Sequence, residues 1–350
     1  MQAQRRDVHL PSPPQNLPHA QPIAQTRRML GLEQRALVAQ NRLIALLDPQ
    51  QATAFRLLDG ENEGVTLDRY GPDLVLATLP DALPLEKALA EGKKLGQQLG
   101  QALQARAVYL KVRPRQANTV ADAQKQGLTP KLPVFGQNVP MPQVILENGA
   151  QFLVQLDAGL PTGIYLDQRE NRAWLLKNSQ GLRVLNTFAY TCAFTVAAAL
   201  GGAQKSVSID AAQPALTTGR QNLELNGQTD LQQHDLIRGD VLVWLEKMAK
   251  RGDRFDLVIL DPPSYACVQG ARFTVTRDYP RLCTLALAVL APRGRLLACV
   301  NHTGLDAAWL LQAVDEAAKL TKRRVLEREI RPPQLDFPAG RMKSVLVRLT

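Results

Sequence analysis

From Gly181 onward the chain alternates short apolar runs with longer amphipathic segments, and this rhythm constrains the fold more than any other feature. "GLRVLNTF" is followed by "TVAAALGG", "KSVSID" by "PALTTGRQNLELNG", "LQQHDL" by "DVLVWLEKMAKRG", "FDLVIL" by "DYPRLCTLALAVLAPRG" and "GRLLACV" by "DAAWLLQAVDEAAKL". The runs are too short for helices, and the segments between them have the spacing of helices with one apolar face. Two final strands are expected near residues 324–330 and 344–349. A parallel strand pair needs a long crossover, usually a helix. The alternation therefore predicts a doubly wound, mostly parallel sheet.

A smaller α/β unit comes first. Residues 1–25 carry Pro11, Pro13, Pro14, Pro18 and Pro22 with no apolar stretch of a secretory signal, and read as a disordered tail. Residues 26–52 form a helical lead-in with Leu32, Leu37, Leu43, Leu46 and Leu47 at helical spacing, ended by Pro49. Residues 53–140 follow as the small unit. "AFRLLDGENEGVTLDRYGPDLVLATL" predicts two strands around a Gly-rich turn and then a third; "PLEKALAEGKKLGQQLGQAL" predicts a helix, and "AVYLKVRPR" another strand. Gln116 to Met141 is polar, holds several prolines and reads as a linker. The main domain, residues 141–350, opens with "VILENGAQFLVQL", a hairpin whose Asn148-Gly149 suits a two-residue turn.

A doubly wound sheet binds its ligand beyond the carboxyl ends of the strands, where strand order reverses. Here that lies above the first and fourth strands. The first ends in "NTFAYTCAF", without the GxGxxG that brings a helix terminus to a pyrophosphate. An NAD-dependent oxidoreductase is excluded on that ground. Thr191, Cys192 and Ala193 are small and fit a nucleoside cofactor without phosphate, such as S-adenosylmethionine. Asp210 ends the second strand, where a carboxylate can accept from both ribose hydroxyls. Asp240 opens the helix after the third and can accept from an adenine amino group. Both are equally suited to cap a helix. Asp261 ends the fourth strand; the three acids together outline an adenosine clamp with a carboxylate near a sulfonium. Pro262 and Pro263 cannot donate ladder hydrogen bonds, so the chain leaves the sheet rigidly there. Tyr265, just beyond, offers an aromatic face for a base, with core packing as its alternative.

The net charge of +10 suggests a polyanionic partner. It concentrates in residues 103–131, where Arg106, Lys111, Arg113, Arg115, Lys125 and Lys131 face only Asp122, and in residues 322–343. Solvated faces and nucleic-acid contact both account for it. Arg113 and Arg115 flank Pro114 just past a strand and are the expected RNA contacts. Four irregularly placed cysteines form no CxxC pair, which points to free thiols in a reducing, cytoplasmic compartment. No apolar run approaches the ~18 residues of a membrane span, and no metal site is expected.

"GIYLDQRENR", "LNTFAYTCAF", "SIDAAQPALTTGRQNLELNG" and "GDRFDLVILDPPSY" resemble, in order and spacing, the bacterial large-subunit ribosomal RNA methyltransferases that make 5-methylcytosine or 7-methylguanine. "LLDGENEGVTLDRYGPDLVL" resembles the RNA-contacting middle domain of the cytosine-C5 members. The resemblance spans about residues 53–350 and implies a Rossmann-like class I fold. It puts Asp210 on the ribose, Asp240 on the adenine, and the loop of Asn186, Phe188, Tyr190 and Thr191 beside the methionine tail. Tyr165, Asp167, Gln168 and Arg169 would form the cofactor-side wall. Three features depart from the family. Cys192-Ala193 stands where Gly-Gly is common, only a tail and one helix stand where a PUA domain is usual, and "CVNHTG" puts Asn301 in place of a cysteine.

Carbon-5 of cytosine is a poor nucleophile and is methylated after a thiolate attacks carbon-6. An amide cannot do this. Cys299 lies in an apolar strand, which leaves Cys267 as the substitute thiol. Guanine N7 needs no such help. The expected activity is therefore S-adenosylmethionine-dependent methylation of RNA, ribosomal RNA above all, at a ring or exocyclic nitrogen, guanine favoured. Asp261, Pro262, Pro263, Tyr265 and Asn301 form the expected catalytic set. The alternatives are a cytosine-C5 enzyme with another thiol and a catalytically silent RNA-binding protein; a homodimer is left open.

Overall fold

The computed structural model describes residues 31–48, 50–60, 63–80, 84–113, 126–230, 232–268, 271–338 and 340–350. Helix α1 (Leu32–Leu46) packs on the first sheet through Ala36 and Leu43. Leu37 and Leu46 point off that face and stay 39% and 58% exposed, so the expected leucine stripe is only partly the buried one. The first sheet runs β1 (Ala54–Gly60), β2 (Val65–Tyr70), β3 (Asp73–Thr78), β4 (Ala107–Val112) and β5 (Phe135–Gly136), paired in that order. The β3–β4 pair is parallel across helix α2 (Leu85–Ala102).

On α2, Gly92, Gly96 and Gly100 recur every fourth residue and form a bare ridge. A methyl group at these positions would come within 2.8 Å of Leu110, 2.6 Å of Val134 and 2.4 Å of Phe135. The close approach this permits brings β5 onto the first sheet, with Val134 N–H on the Val108 carbonyl at 2.8 Å. The segment read as a linker up to residue 141 thus contributes an edge strand, while residues 114–125 lie outside the described residues.

The hairpin β6 (Gln143–Glu147) and β7 (Ala150–Val154) turns at Asn148 and Gly149, with φ of 52° and 78°. Two positive φ angles in succession are what a type I′ turn requires. A 3-10 turn (Leu166–Gln168) and α3 (Arg169–Asn178) lead into the second sheet. There β8 (Arg183–Thr187), α4 (Ala193–Leu200), β9 (Lys205–Asp210), α5 (Gln213–Leu225), β10 (His234–Arg238), α6 (Val241–Arg251) and β11 (Phe255–Leu260) follow the expected alternation. A hairpin, β12 (Tyr265–Val268) and β13 (Ala271–Thr274), intervenes before α7 (Val275–Val289), β14 (Leu290–Asn301), α8 (Ala307–Leu320), β15 (Val325–Arg331) and β16 (Met342–Leu349). Neither the hairpin nor the start of α7 at Val275 was foreseen from the sequence.

Strand order is β10-β9-β8-β11-β14-β16-β15. The first five strands are parallel; β16 and β15 run antiparallel at one edge. Because β11 lies between β8 and β14, Leu257 to Leu260 have no solvent exposure, which explains an uninterrupted apolar run. Order reverses between β8 and β11, so a crevice opens beyond the carboxyl ends of those two strands.

The two sheets share a core. Ala54, Tyr70, Val75 and Tyr109 of the first pack in one cluster with Ile145, Phe152, Val196, Leu223 and Phe337. A buried latch crosses the junction. Arg169 pairs with Asp336 at 2.5 Å and donates to the Ala54 carbonyl at 3.3 Å, while Arg56 N–H donates to Asp336 at 3.0 Å. Arg172 pairs with Glu147 at 2.5 Å nearby. Arg169 is therefore no wall of a cofactor site; its guanidinium is spent joining the sheets.

Candidate active site

A cavity of about 760 Å³ lies beyond the carboxyl ends of the central strands. Asp210, Asp240 and Asp261 all line it, one at the end of each of β9, β10 and β11. Asp210 accepts from Tyr190 N–H on one oxygen and Ala212 N–H on the other, both at 2.8 Å. Each oxygen keeps a second lone pair. Asp240 caps α6, its Oδ1 accepting from Leu242 and Val243 N–H at 2.8 and 3.1 Å, and Oδ2 has no partner among the described residues. The cap reading of Asp240 is thus correct, and the second oxygen remains available.

The loop after β8 is held in an unusual shape. Phe188, Tyr190 and Cys192 have φ of 54°, 49° and 61°, a region costing a non-glycine residue about 1–2 kcal/mol. Several contacts over-determine it. Ala189 N–H bonds the Ile209 carbonyl at 3.0 Å, Tyr190 N–H bonds Asp210, and the Thr191 hydroxyl bonds the Gly163 carbonyl at 2.5 Å. Gly163 N–H donates to the Tyr190 hydroxyl at 3.0 Å. Gly163 itself has φ of 109° and lies so near strand β7 that a methyl there would meet the Leu153 carbonyl at 2.6 Å. The result turns Phe188 and Tyr190 into the cavity, with Tyr165 against Tyr190 at 5.3 Å and Phe273 against Phe188 at 5.8 Å.

At the end of β11 the chemistry changes. Burial, reinforced by the Asp167 charge, pushes the Asp261 carboxyl up to about 7, against the opposing pull of a Gln168 hydrogen bond and Arg172. Burial also pushes Asp167 up to about 6, with Arg56 and Arg172 opposing. Asn301, on the cavity wall, donates its amide to Asp167 at 3.3 Å. The Asn301 backbone carbonyl accepts the Ser264 hydroxyl at 2.5 Å, which ties the turn after Pro262-Pro263 to the end of β14. Cys299, two residues back, is fully buried, and burial pushes its thiol well above the ordinary range.

Comparison with known proteins now bears on the site. Residues 136–348 match the family model of S-adenosylmethionine-dependent methyltransferases. The chain belongs to that family. A ribosomal RNA large subunit methyltransferase I of Aeromonas hydrophila is 34% identical over 311 residues, covering 87% of this chain and 75% of the relative. A Bacillus subtilis protein assigned as a ribosomal RNA large subunit methyltransferase is 34% identical over 317 residues, with 86% and 76% covered. Among solved structures, a protein assigned as a methyltransferase and crystallised with S-adenosylhomocysteine superposes with a TM-score of 0.75 at 26% identity, over 90% of this chain and 80% of that one.

The methyltransferase fold is thus the Rossmann-like class I fold, and its cofactor is S-adenosylmethionine. The lining suits that group: Asp210 keeps acceptor capacity for hydroxyls, Phe188, Val241 and Leu242 give apolar surface for a flat ring, and no glycine run prepares for phosphate. Of the expected site residues, Tyr165, Phe188, Tyr190, Asp210, Asp240, Asp261, Pro262, Pro263 and Asn301 line the cavity. Asn186, Asp167, Gln168 and Thr191 stand behind it, supporting its walls: the Asn186 amide donates to Thr195 at 2.9 Å, and Gln168 accepts from Asn171 at 2.6 Å.

Tyr265 does not line the cavity. It begins β12 opposite Thr274 and is 49% exposed. Arg113, the expected RNA contact, is turned inward onto the Leu160 carbonyl at 2.9 Å, and Arg115 lies outside the described residues. Phe273, Arg277 and Arg281 line the cavity and were not anticipated: Phe273 sits on the unforeseen hairpin, Arg277 on the part of α7 before its expected start, and Arg281 on an expected helix whose cavity-facing side the sequence does not declare.

Proposed function

We propose that this methyltransferase modifies a base of large-subunit ribosomal RNA at a nitrogen, with guanine favoured. The amide of Asn301 on the cavity wall carries the reading: it stands where a thiol would be needed to attack carbon-6 of cytosine, and Cys299, two residues back, is buried with its thiol pushed well above the ordinary range. When bound, S-adenosylmethionine supplies an electrophilic methyl group on a sulfonium. The chain's part is to hold a nitrogen lone pair in line with it, since positioning dominates a direct displacement. Asp210 takes the ribose hydroxyls and Asp240 Oδ2 the adenine amino group. A base extruded from its stack needs a flat face. Tyr165, half-exposed on the cavity wall, supplies it in place of Tyr265. Pro262 and Pro263 fix the turn that the base meets, and Asn301 bonds its edge. A ring nitrogen such as N7 has no proton to lose; an exocyclic amine would pass its proton to Asp261.

The relatives named for ribosomal RNA support the substrate class. The first sheet, within residues 53–140, is read as the RNA-contacting unit, and residues 141–350 as the methyltransferase domain. No described helix is long and apolar enough to cross a membrane, and a cytoplasmic location fits a ribosomal RNA substrate. Nucleoside mass spectrometry of ribosomal RNA from a strain lacking the gene should show loss of a methylated guanine. Loss of 5-methylcytosine, together with a denaturant-stable adduct on 5-fluorocytosine RNA abolished by Cys267→Ala, refutes the nitrogen assignment.

A further inference from the structure

Lys111, one residue before the end of β4, has no solvent exposure at all. A buried ammonium is costly and normally pairs with a carboxylate. Here Nζ instead donates to the carbonyls of Gly159 at 2.6 Å and Ala158 at 3.5 Å. Arg113, two residues on and on the same face of the strand, donates to the Leu160 carbonyl at 2.9 Å. From β2, the Tyr70 hydroxyl is 2.8 Å from the Thr162 hydroxyl. Three side chains of the first sheet therefore grip one short excursion of the other unit, residues 157–162. Its neck is closed by Gln155 N–H on the Thr162 carbonyl at 2.9 Å.

This excursion runs directly into the cavity wall. Gly163, the next residue, holds the Tyr190 hydroxyl and the Thr191 hydroxyl, and the Tyr165 ring lies tilted against Tyr190. We infer that Lys111 and Arg113 are positioning residues of the methyltransferase site: they fix residues 157–163 from the first sheet and so set Tyr190 and the loop after β8 against the cofactor. Two basic residues of an apparent nucleic-acid patch are spent on the cofactor cavity. Burial, and then the neighbouring Arg113 charge, pull the Lys111 ammonium down to about 8, in keeping with a cation held for its hydrogen bonds. The inference is independent of which base accepts the methyl group.

The test uses the full chain with Lys111→Met, Arg113→Met, Arg113→Lys and Tyr70→Phe. Calorimetric titration with S-adenosylhomocysteine should show dissociation constants raised about tenfold for each Met variant, the scale of one lost charge-assisted bond, and a few-fold for Tyr70→Phe. In steady state, KM for S-adenosylmethionine should rise while kcat at saturating cofactor stays within about twofold. Arg113→Lys should recover part of the affinity. Affinity for a ribosomal RNA fragment should be unchanged. Cofactor affinity unchanged in the variants that fold, or a fall in RNA affinity alone, overturns the inference. If Lys111→Met fails to fold, Arg113→Met and Tyr70→Phe decide by the same measurements.

Discussion

Replacing Asp210 by alanine removes two things at once, and their sizes can be worked separately. The first is structural. Asp210 accepts from Tyr190 N–H and Ala212 N–H, both at 2.8 Å. Hydrogen bonds to a charged group contribute about 1.5–3 kcal/mol each. The side chain is only partly buried and water replaces part of the loss, so a fall of about 2–3 kcal/mol in stability is expected. Tyr190 also loses an anchor that holds it at positive φ, between two other residues in the same strained region. The second loss is the acceptor for the ribose hydroxyls, another 2–4 kcal/mol or so, about 30- to 1,000-fold in affinity. Asp210→Asn is a useful companion, because one oxygen survives while an NH₂ group confronts a backbone N–H. Urea denaturation of the free protein reads the first quantity, and calorimetric titration with S-adenosylhomocysteine reads the second. Lowered stability with intact affinity would leave Asp210 as a loop anchor and refute its ribose role. No change in either would refute both arguments.

The Arg169–Asp336 pair is buried on both sides, so Arg169→Met should strand a carboxylate and cost about 3–5 kcal/mol in urea denaturation. Combined with Asp336→Ala, the loss should be well below the sum, and additivity would show that the latch is not a unit. Asp261 titrates near 7 in the fold against about 3.9 in an unfolded chain, so the native state holds the extra proton between those values. Its contribution therefore weakens as pH rises from about 4 to 7, and Asp261→Asn should flatten that fall in stability; an unchanged slope would place the elevated carboxyl elsewhere. Cys299→Ala should keep methyl transfer within about threefold, because a protonated, buried thiol cannot attack a base. A tenfold or larger loss would return a thiol to the mechanism.

The second sheet was legible because its central strands are runs of mostly buried residues beside helices of clear periodicity, as in "FDLVIL" and "DVLVWLEKMAKRG". The three acids at strand ends were legible for the same reason: topology alone brings successive strand ends together. The hairpin between β11 and α7 was not. Its strands are four residues each, too short for alternation to declare itself, and Tyr265 was misjudged with it. Arg169, Lys111 and Arg113 were misread for a different reason. Arg169 was expected on the cofactor-side wall, Arg113 on RNA and Lys111 in the same basic patch, and only the partner of a charged side chain shows where it is spent. Asp336 lies 167 positions from Arg169, a separation that no local pattern encodes.

The shared core has a consequence for the order in which this chain is made. The first sheet leaves the ribosome early, yet its Ala54, Tyr70 and Tyr109 are covered by Phe152, Leu223 and Phe337, and Ala54 and Arg56 are fastened by Arg169 and Asp336. Domains generally fold as they emerge, from the N-terminus. This one emerges with an apolar face whose cover has not yet been translated. Until residues 336 and 337 clear the exit tunnel, the nascent chain carries a surface open to wrong partners and to holding chaperones. A ribosome stalled after β14 would leave a product whose first sheet is still gripped at residues 157–162 but lacks the Asp336 latch and the Phe337 cover.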